Sequence, residues 1–274
     1  MAETDLVLAD TTSHPGISII TINRPQRKNA VDPRTAKLLY EAIIAFEADV
    51  TQKVCVLTGS GGTFCAGADL HSVAQKIEGS PPGENLQPVN NRNLAPMGPS
   101  RLIVQKPVIA AVAGYAVAGG LELSLLADMR VVEENAVFGV FCRRWGVPLI
   151  DGGTVRLQAI IGLGRALDMI LTGRPVGAQE ALTMGLANRV VPKGEALQKA
   201  LEIAQQLIAF PERCLNTDRR SAYYSAYEAS SFQDAMSQEF NTGFKVVSEE
   251  AIAGAARFSR GSGRHGSFKE FSKL

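Results

Sequence analysis

The sequence predicts an α/β core followed by an all-helical C-terminal third, and three observations carry that prediction. Short β-branched runs alternate with amphipathic stretches as far as Val132. Two glycine clusters, at residues 59–62 and 119–120, fall where a strand would give way to a helix. From Gly194 onward the strand signals stop.

Taken in order, Gly16 to Ile22 (GISIITI) alternates loosely and is rich in β-branched residues, as a strand requires. Asp32-Pro33 pairs a good N-cap with a good first-turn residue, opening a helix whose Leu39, Ile43 and Phe46 share one face. Val54 to Thr58 (VCVLT) makes a short buried strand. Residues 71–100 hold a stretch dense in Pro, Gly and Asn without periodicity, which reads as a long loop. The strand–helix–strand order resumes with Val108 to Val112, a helix from about Gly120, and Met129 to Val132. Beyond Gly194, Ala196 to Ile208, Ser221 to Lys245 and Ser248 to Phe258 read as successive helices. This divides the chain into an α/β core at 1–195 and a helical region at 196–274.

The 274 residues are 46% hydrophobic and 20% charged, an ordinary globular composition. A net charge of +1 gives no electrostatic reason to expect nucleic acid or an anionic membrane as partner. The longest apolar candidate, Val108 to Leu126, is broken by Gly114, Gly119, Gly120 and Glu122, so no membrane span is expected. Four scattered cysteines (Cys55, Cys65, Cys142, Cys214) read as reduced thiols, and His14, His71 and His265 lack metal-ligand spacing. The opening MAETDL has no signal-peptide or transit pattern, while Ser272-Lys273-Leu274 matches a peroxisomal address. The expected location is therefore peroxisomal in a eukaryotic source and cytoplasmic otherwise.

Two segments carry candidate chemistry. GSGGTFCAGADL, residues 59–70, combines a tight turn with a helix beginning at Ala68-Asp69-Leu70, and free N–H groups at such a start favour an anion or a developing oxyanion. No Gly-Lys-Ser/Thr follows, so it is not a Walker A loop. In AVAGGLELSLLAD, Gly119 and Gly120 leave room for close backbone approach and Glu122 sits in the first helical turn. An acid there is favoured by the helix dipole alone. In apolar company, however, its pKa rises and it suits general acid/base work.

Together FCAGADL and AVAGGLELSLLAD resemble the crotonase, or enoyl-CoA hydratase/isomerase, superfamily. The resemblance extends to NRPQRKNA at 23–30, KPVIAAVAG at 106–114, GGTVRL at 152–157 and LTGRPVGAQEALTMGLANRVVP at 171–192. It implies a spiral of ββα turns and a helical C-terminal region that builds trimers, often paired into hexamers. It implies that the N–H groups of Ala68 and Gly119 bind the thioester oxygen of an acyl-CoA, and that Arg27, Lys28 and Ala30 contact the CoA nucleotide. Ala66 and Leu70 would flank the adenine and pantetheine path, and the 71–100 loop would shape the acyl pocket. Coenzyme A is expected as part of the substrate, with no metal or redox cofactor.

The chain also departs from the pattern. Glu122 aligns with the first of the two glutamates that hold water in hydratases of the superfamily, but Cys142 stands at the second. Cys142 reads either as a packed apolar residue or as a catalytic thiol. Asp151 resembles the catalytic aspartate of dienoyl-CoA isomerases, and it equally suits a cap for the helix begun by GGTVRL. Arg143, Arg144 and Trp145 would narrow the acyl pocket or pair with Asp151. Three functions stay open: hydration of a 2-enoyl-CoA, double-bond isomerisation with Asp151 or Glu122 as base, and acyl-CoA binding with little turnover.

Overall fold

The computed structural model describes residues 6–74 and 86–261. These fall into two compact units, one ending at Glu202 and one beginning at Ile203.

The first unit opens with β1 (Val7–Asp10) and β2 (Ile17–Ile22), paired antiparallel. Next comes α1 (Pro33–Ala48), started as its sequence predicts: the Asp32 carboxylate accepts from the Thr35 N–H at 2.7 Å and Pro33 fills the first turn. Its Leu39, Ile43 and Phe46 are buried together in the core. Full burial of each such side chain contributes about 1.5–3 kcal/mol.

Three successive turns of chain then repeat one plan. In the first, β3 (Val54–Gly59) leads through the Cys65 segment into α2 (Leu70–Ala74). In the second, β4 (Val108–Val112) and β5 (Tyr115–Val117) lead into α3 (Gly119–Leu126). In the third, β6 (Met129–Glu133) and β7 (Val137–Gly139) lead, through a 3₁₀ turn at Phe141–Trp145, into α4 (Gly153–Ile161). The first strand of each turn joins a six-stranded sheet of order β1-β2-β3-β4-β6-β9, parallel from β2 onward and closed by β9 at Arg189–Val191. The second strand joins a small sheet, where β5 pairs parallel with β7 and Cys65 bridges Ala116. This is the ββα spiral that the resemblance implied. The unit is completed by α5 (Leu163–Thr172), β8 (Val176–Gly177), α6 (Ala178–Thr183), β9 (Arg189–Val191) and the start of α7 (Ala196–Ile208).

In the second unit, the helix expected over Ser221 to Lys245 is two helices, α8 (Glu212–Tyr227) and α9 (Phe232–Val246). Ser231 interrupts it by capping α9, accepting from the Asp234 N–H at 3.1 Å, while Asp234 accepts from Tyr224 Oη at 3.1 Å. A π-helical turn at Val247–Ala251 leads into α10 (Ile252–Ser259). No helix among the described residues is long and apolar enough to cross a membrane. Ser272, Lys273 and Leu274 lie outside the described residues.

Candidate active site

A cavity of about 470 Å³ opens in the first unit beside the N-terminus of α3. Of the residues singled out in the sequence, Lys28, Ala66, Ala68, Leu70, Gly119, Glu122, Cys142 and Asp151 line it. Arg27 and Ala30 do not. Arg27 is exposed in a 3₁₀ turn at Pro25–Arg27, and the Ala30 carbonyl accepts from Arg24.

The orientation of Ala68 follows from how its strand-like segment pairs. Val31 donates to the Gly67 carbonyl at 2.8 Å and its own carbonyl accepts from Asp69 N–H at 2.9 Å. A residue flanked in this way turns its own N–H to the opposite side. The Ala68 amide thus donates to nothing among the described residues. Gly119 is the first residue of α3, where an amide has no intrahelical partner, and it too is left open. The chain reaches it through Ala118 at φ 53° and ψ −124°, a conformation an L-residue holds only under constraint; here the Ala118 N–H is anchored on the Gly139 carbonyl at 2.8 Å. Glycine at 120 is a packing requirement against backbone, and at 119 a side chain would have to displace Met97. A Cβ at 119 would lie 2.5 Å from Met97 Sδ, and one at 120 would lie 2.0 Å from the Cys65 carbonyl oxygen.

The two loops that present these amides are braced from behind. The buried Arg24 guanidinium bridges Asp32 at 3.0 Å and Asp69 at 3.1 Å, tying the cap of α1 to the start of α2. Asn29 Nδ2 donates to the Ser60 carbonyl at 2.9 Å, holding the glycine turn against the Lys28 segment. Lys28 itself lies over the Tyr115 ring, 5.3 Å from its centroid.

Across the cavity, two carboxyl groups are buried to 3% exposure each. Glu122 Oε1 accepts from the N–H groups of Asp151 at 2.9 Å and Gly153 at 2.8 Å. Asp151 Oδ1 accepts from Met97 N–H at 2.9 Å and from the Ser100 hydroxyl. On each side chain the second oxygen takes no hydrogen bond from the described residues. One oxygen of each is thus fixed by the protein, and the other remains available to a ligand.

Burial pushes Glu122 up to about 8, and the Asp151 charge adds to that rise against the two amide donors and Arg156. Burial also raises Asp151, opposed by the Ser100 hydroxyl, the Met97 amide, Arg101 and Arg156. The pair is therefore asymmetric. Near neutral pH Glu122 holds a proton, whereas the rise on Asp151 is opposed by a hydroxyl donor, an amide donor and the charges of two guanidinium groups.

The geometry removes one alternative from each of two open readings. Asp151 does not cap α4: its side chain points back to residues 97–100, and Gly152 occupies the cap position with no side-chain bond. Nor do the arginines pair with it. Arg143 donates to the Ile170 carbonyl at 3.0 Å, and Arg144 stacks on Phe141 at 4.9 Å. Arg144 and the 67% exposed Trp145 line the cavity, which fits a narrowing role. Cys142 is buried beside Glu122, and burial followed by the Glu122 charge keeps its thiol protonated. Sequence reasoning missed Ser100 and Met97 because they end a loop with no periodic pattern. The Gly98-Pro99 pair just before Ser100 was the one local signal.

The α/β spiral thus places two open amides and two buried carboxyl groups around one cavity, a set able to hold a carbonyl oxygen and move a proton beside it. Comparison with known proteins makes the class specific. Residues 12–256 match the family model described as Enoyl-CoA hydratase/isomerase. Enoyl-CoA hydratase EchA19 of Mycobacterium tuberculosis is 36% identical over 249 residues, covering 88% of this chain and 89% of that protein. Carnitinyl-CoA dehydratase of Escherichia coli K12 is 38% identical over 198 residues, covering 72% and 73%. The crystal structure of an enoyl-CoA hydratase from M. tuberculosis superposes with a TM-score of 0.82 at 32% identity, over 93% of this chain and 96% of that one. The chain belongs to the enoyl-CoA hydratase/isomerase family of the crotonase superfamily.

Proposed function

We propose that this enzyme adds water to a 2-enoyl-CoA thioester, or removes it in reverse, with Asp151 and Glu122 as its acid–base pair. The observation that carries the reading is the pair itself: two buried carboxyl groups, each with one oxygen anchored and one open, facing the amides of Ala68 and Gly119. Those amides form the oxyanion hole for the thioester oxygen, where loss of one donor typically costs about 10²–10³ in rate.

In the forward direction, ionised Asp151 takes a proton from water as the water oxygen bonds to Cβ. The π electrons of the double bond move through Cα onto the thioester oxygen, held by Ala68 and Gly119. The enolate then collapses, and Cα takes the proton of Glu122. One proton has been gained by Asp151 and one lost by Glu122, so a single transfer between neighbours resets the site. The dehydratase and hydratase names of the relatives support both directions.

The test is turnover of a panel of 2-enoyl-CoA thioesters, followed by loss of conjugated-thioester absorbance and by product mass. A product heavier by one water supports the reading. A product of unchanged mass with a shifted double bond would replace it by isomerisation. Thioester binding without turnover would leave a binding protein. The same proposal includes self-association of the helical unit. Phe232, Met236, Phe240 and Phe244 recur every fourth residue along α9 and are all exposed. Sedimentation of Phe240→Asp against the parent chain tests this, a shift to smaller species being expected.

A further inference from the structure

We infer that Ser100 is a positioning residue that fixes the orientation and ionisation of Asp151 and so decides which carboxyl group is the base. The inference rests on the acid–base reading above and extends it to a residue outside the motifs of the sequence.

The geometry is specific. Ser100 is completely buried, and its hydroxyl hydrogen goes to Asp151 Oδ1, the oxygen that also accepts from the Met97 amide. Two donors on one oxygen lock the carboxylate plane and leave Oδ2 for the ligand. Ser100 is held in turn: Arg156, buried on α4, donates to the Ser100 carbonyl and, at 2.9 Å, to the Leu102 carbonyl. The turn before it is closed by Ala95 and Gly98, which exchange backbone hydrogen bonds at 3.0 and 2.9 Å. Gly98 sits at φ 77°, and a Cβ there would lie 2.5 Å from the Ala36 carbonyl oxygen on α1. The hydroxyl is therefore delivered by a rigid turn clamped between two helices.

A hydroxyl that donates to a carboxylate stabilises the charged form. Among the described residues Glu122 has no such hydroxyl; its donors are two backbone amides. The charged groups facing Asp151 are Glu122 from α3, Arg156 from α4 and Arg101 from the loop beside Ser100. Both arginines act alongside Ser100, whereas Glu122 acts against it when ionised. Ser100 is the neutral side-chain donor beside these charges, and its removal changes no charge.

The experiment is the pH dependence of kcat/KM for Ser100→Ala, Ser100→Thr and Ser100→Cys in the full chain, with a 2-enoyl-CoA that the parent hydrates. Loss of one hydrogen bond to a carboxylate should move the acidic limb of Ser100→Ala upward by about one to two pH units. Ser100→Thr should restore the limb. Ser100→Cys keeps the volume filled but donates weakly, and should shift the limb in the same direction; it serves if the alanine variant does not fold. Thioester Kd, measured on the same proteins, should stay near the parent value. A pH-independent fall in kcat with an unmoved limb would overturn the inference, leaving Ser100 merely structural. Asp151→Asn separates the two readings: if that variant keeps both rate and acidic limb, Asp151 is not the base and the assignment fails at that earlier step.

Discussion

Gly153→Ala tests whether Glu122 works by its exact anchoring. The residue opens α4 at an ordinary backbone conformation, so alanine adds a methyl group with no dihedral penalty. That Cβ would stand 2.8 Å from Glu122 Oε1 and 2.9 Å from its Cγ, about 0.6 Å inside the 3.4 Å at which ordinary contact begins. The carboxyl group borders the cavity, so it must slide toward that space or surrender the Gly153 amide bond. A hydrogen bond to such a group contributes about 1.5–3 kcal/mol. Sub-ångström misplacement of a catalytic group costs up to about 10²-fold. The expected result is a kcat lowered by about 10- to 100-fold with KM nearly unchanged. Initial rates with a 2-enoyl-CoA measure it, and urea unfolding of the same sample checks that the fold persists. A kcat within about twofold of the parent would refute the reasoning, because Glu122 would then tolerate displacement.

Other outcomes follow from the same geometry. Glu122 holds its proton in the folded protein up to about pH 8 but in the unfolded chain only to about 4.5, so the native state binds the extra proton between these values and stability falls as pH rises through them. Glu122→Gln should therefore raise Tm by scanning calorimetry, and by more at pH 8 than at pH 5, while abolishing most turnover. For the parent enzyme, kcat/KM should decline above about pH 8 as Glu122 loses the proton it donates. Arg24→Met leaves the buried Asp69 and the half-buried Asp32 without this cation and should cost about 3 kcal/mol in urea unfolding. Trp145→Ala removes an exposed aromatic wall of the cavity; it should lower kcat/KM about tenfold for long acyl chains and spare a four-carbon one.

Four strands of the large sheet, β2, β3, β4 and β6, were legible because each buries a run rich in apolar β-branched residues, and Val108–Val112 is as the sequence predicts to the residue; the partly exposed edge strands β1 and β9 gave no such signal. The small sheet was not, since β5 and β7 span three residues each and carry no periodicity of their own. They are defined by pairing between successive turns of the spiral. On the helical side, a long apolar repeat concealed the break at Ser231, although Ser231 and Asp234 have the spacing of a cap. At the site, Glu122 was visible because an acid among leucines is chemically conspicuous. Asp151 was ambiguous because the residue before a glycine-started helix suits a cap, and only the Met97–Ser100 turn shows where its side chain goes. That turn lies more than fifty residues upstream in the chain, beyond the reach of any local pattern.

The spiral has a consequence for how activity is acquired. Ala68 comes from its first turn, Gly119 and Glu122 from its second, and Asp151 from its third, with the hydrogen bonds to Glu122 crossing between the last two. No single coil contains a working centre. On the proposed mechanism, a nascent chain that has formed its early strands is therefore chemically silent until the third coil docks, and the enolate has nowhere to form on a half-built scaffold. The regain of turnover during refolding is thus a clock for the last coil, lagging the signal of helices already in place.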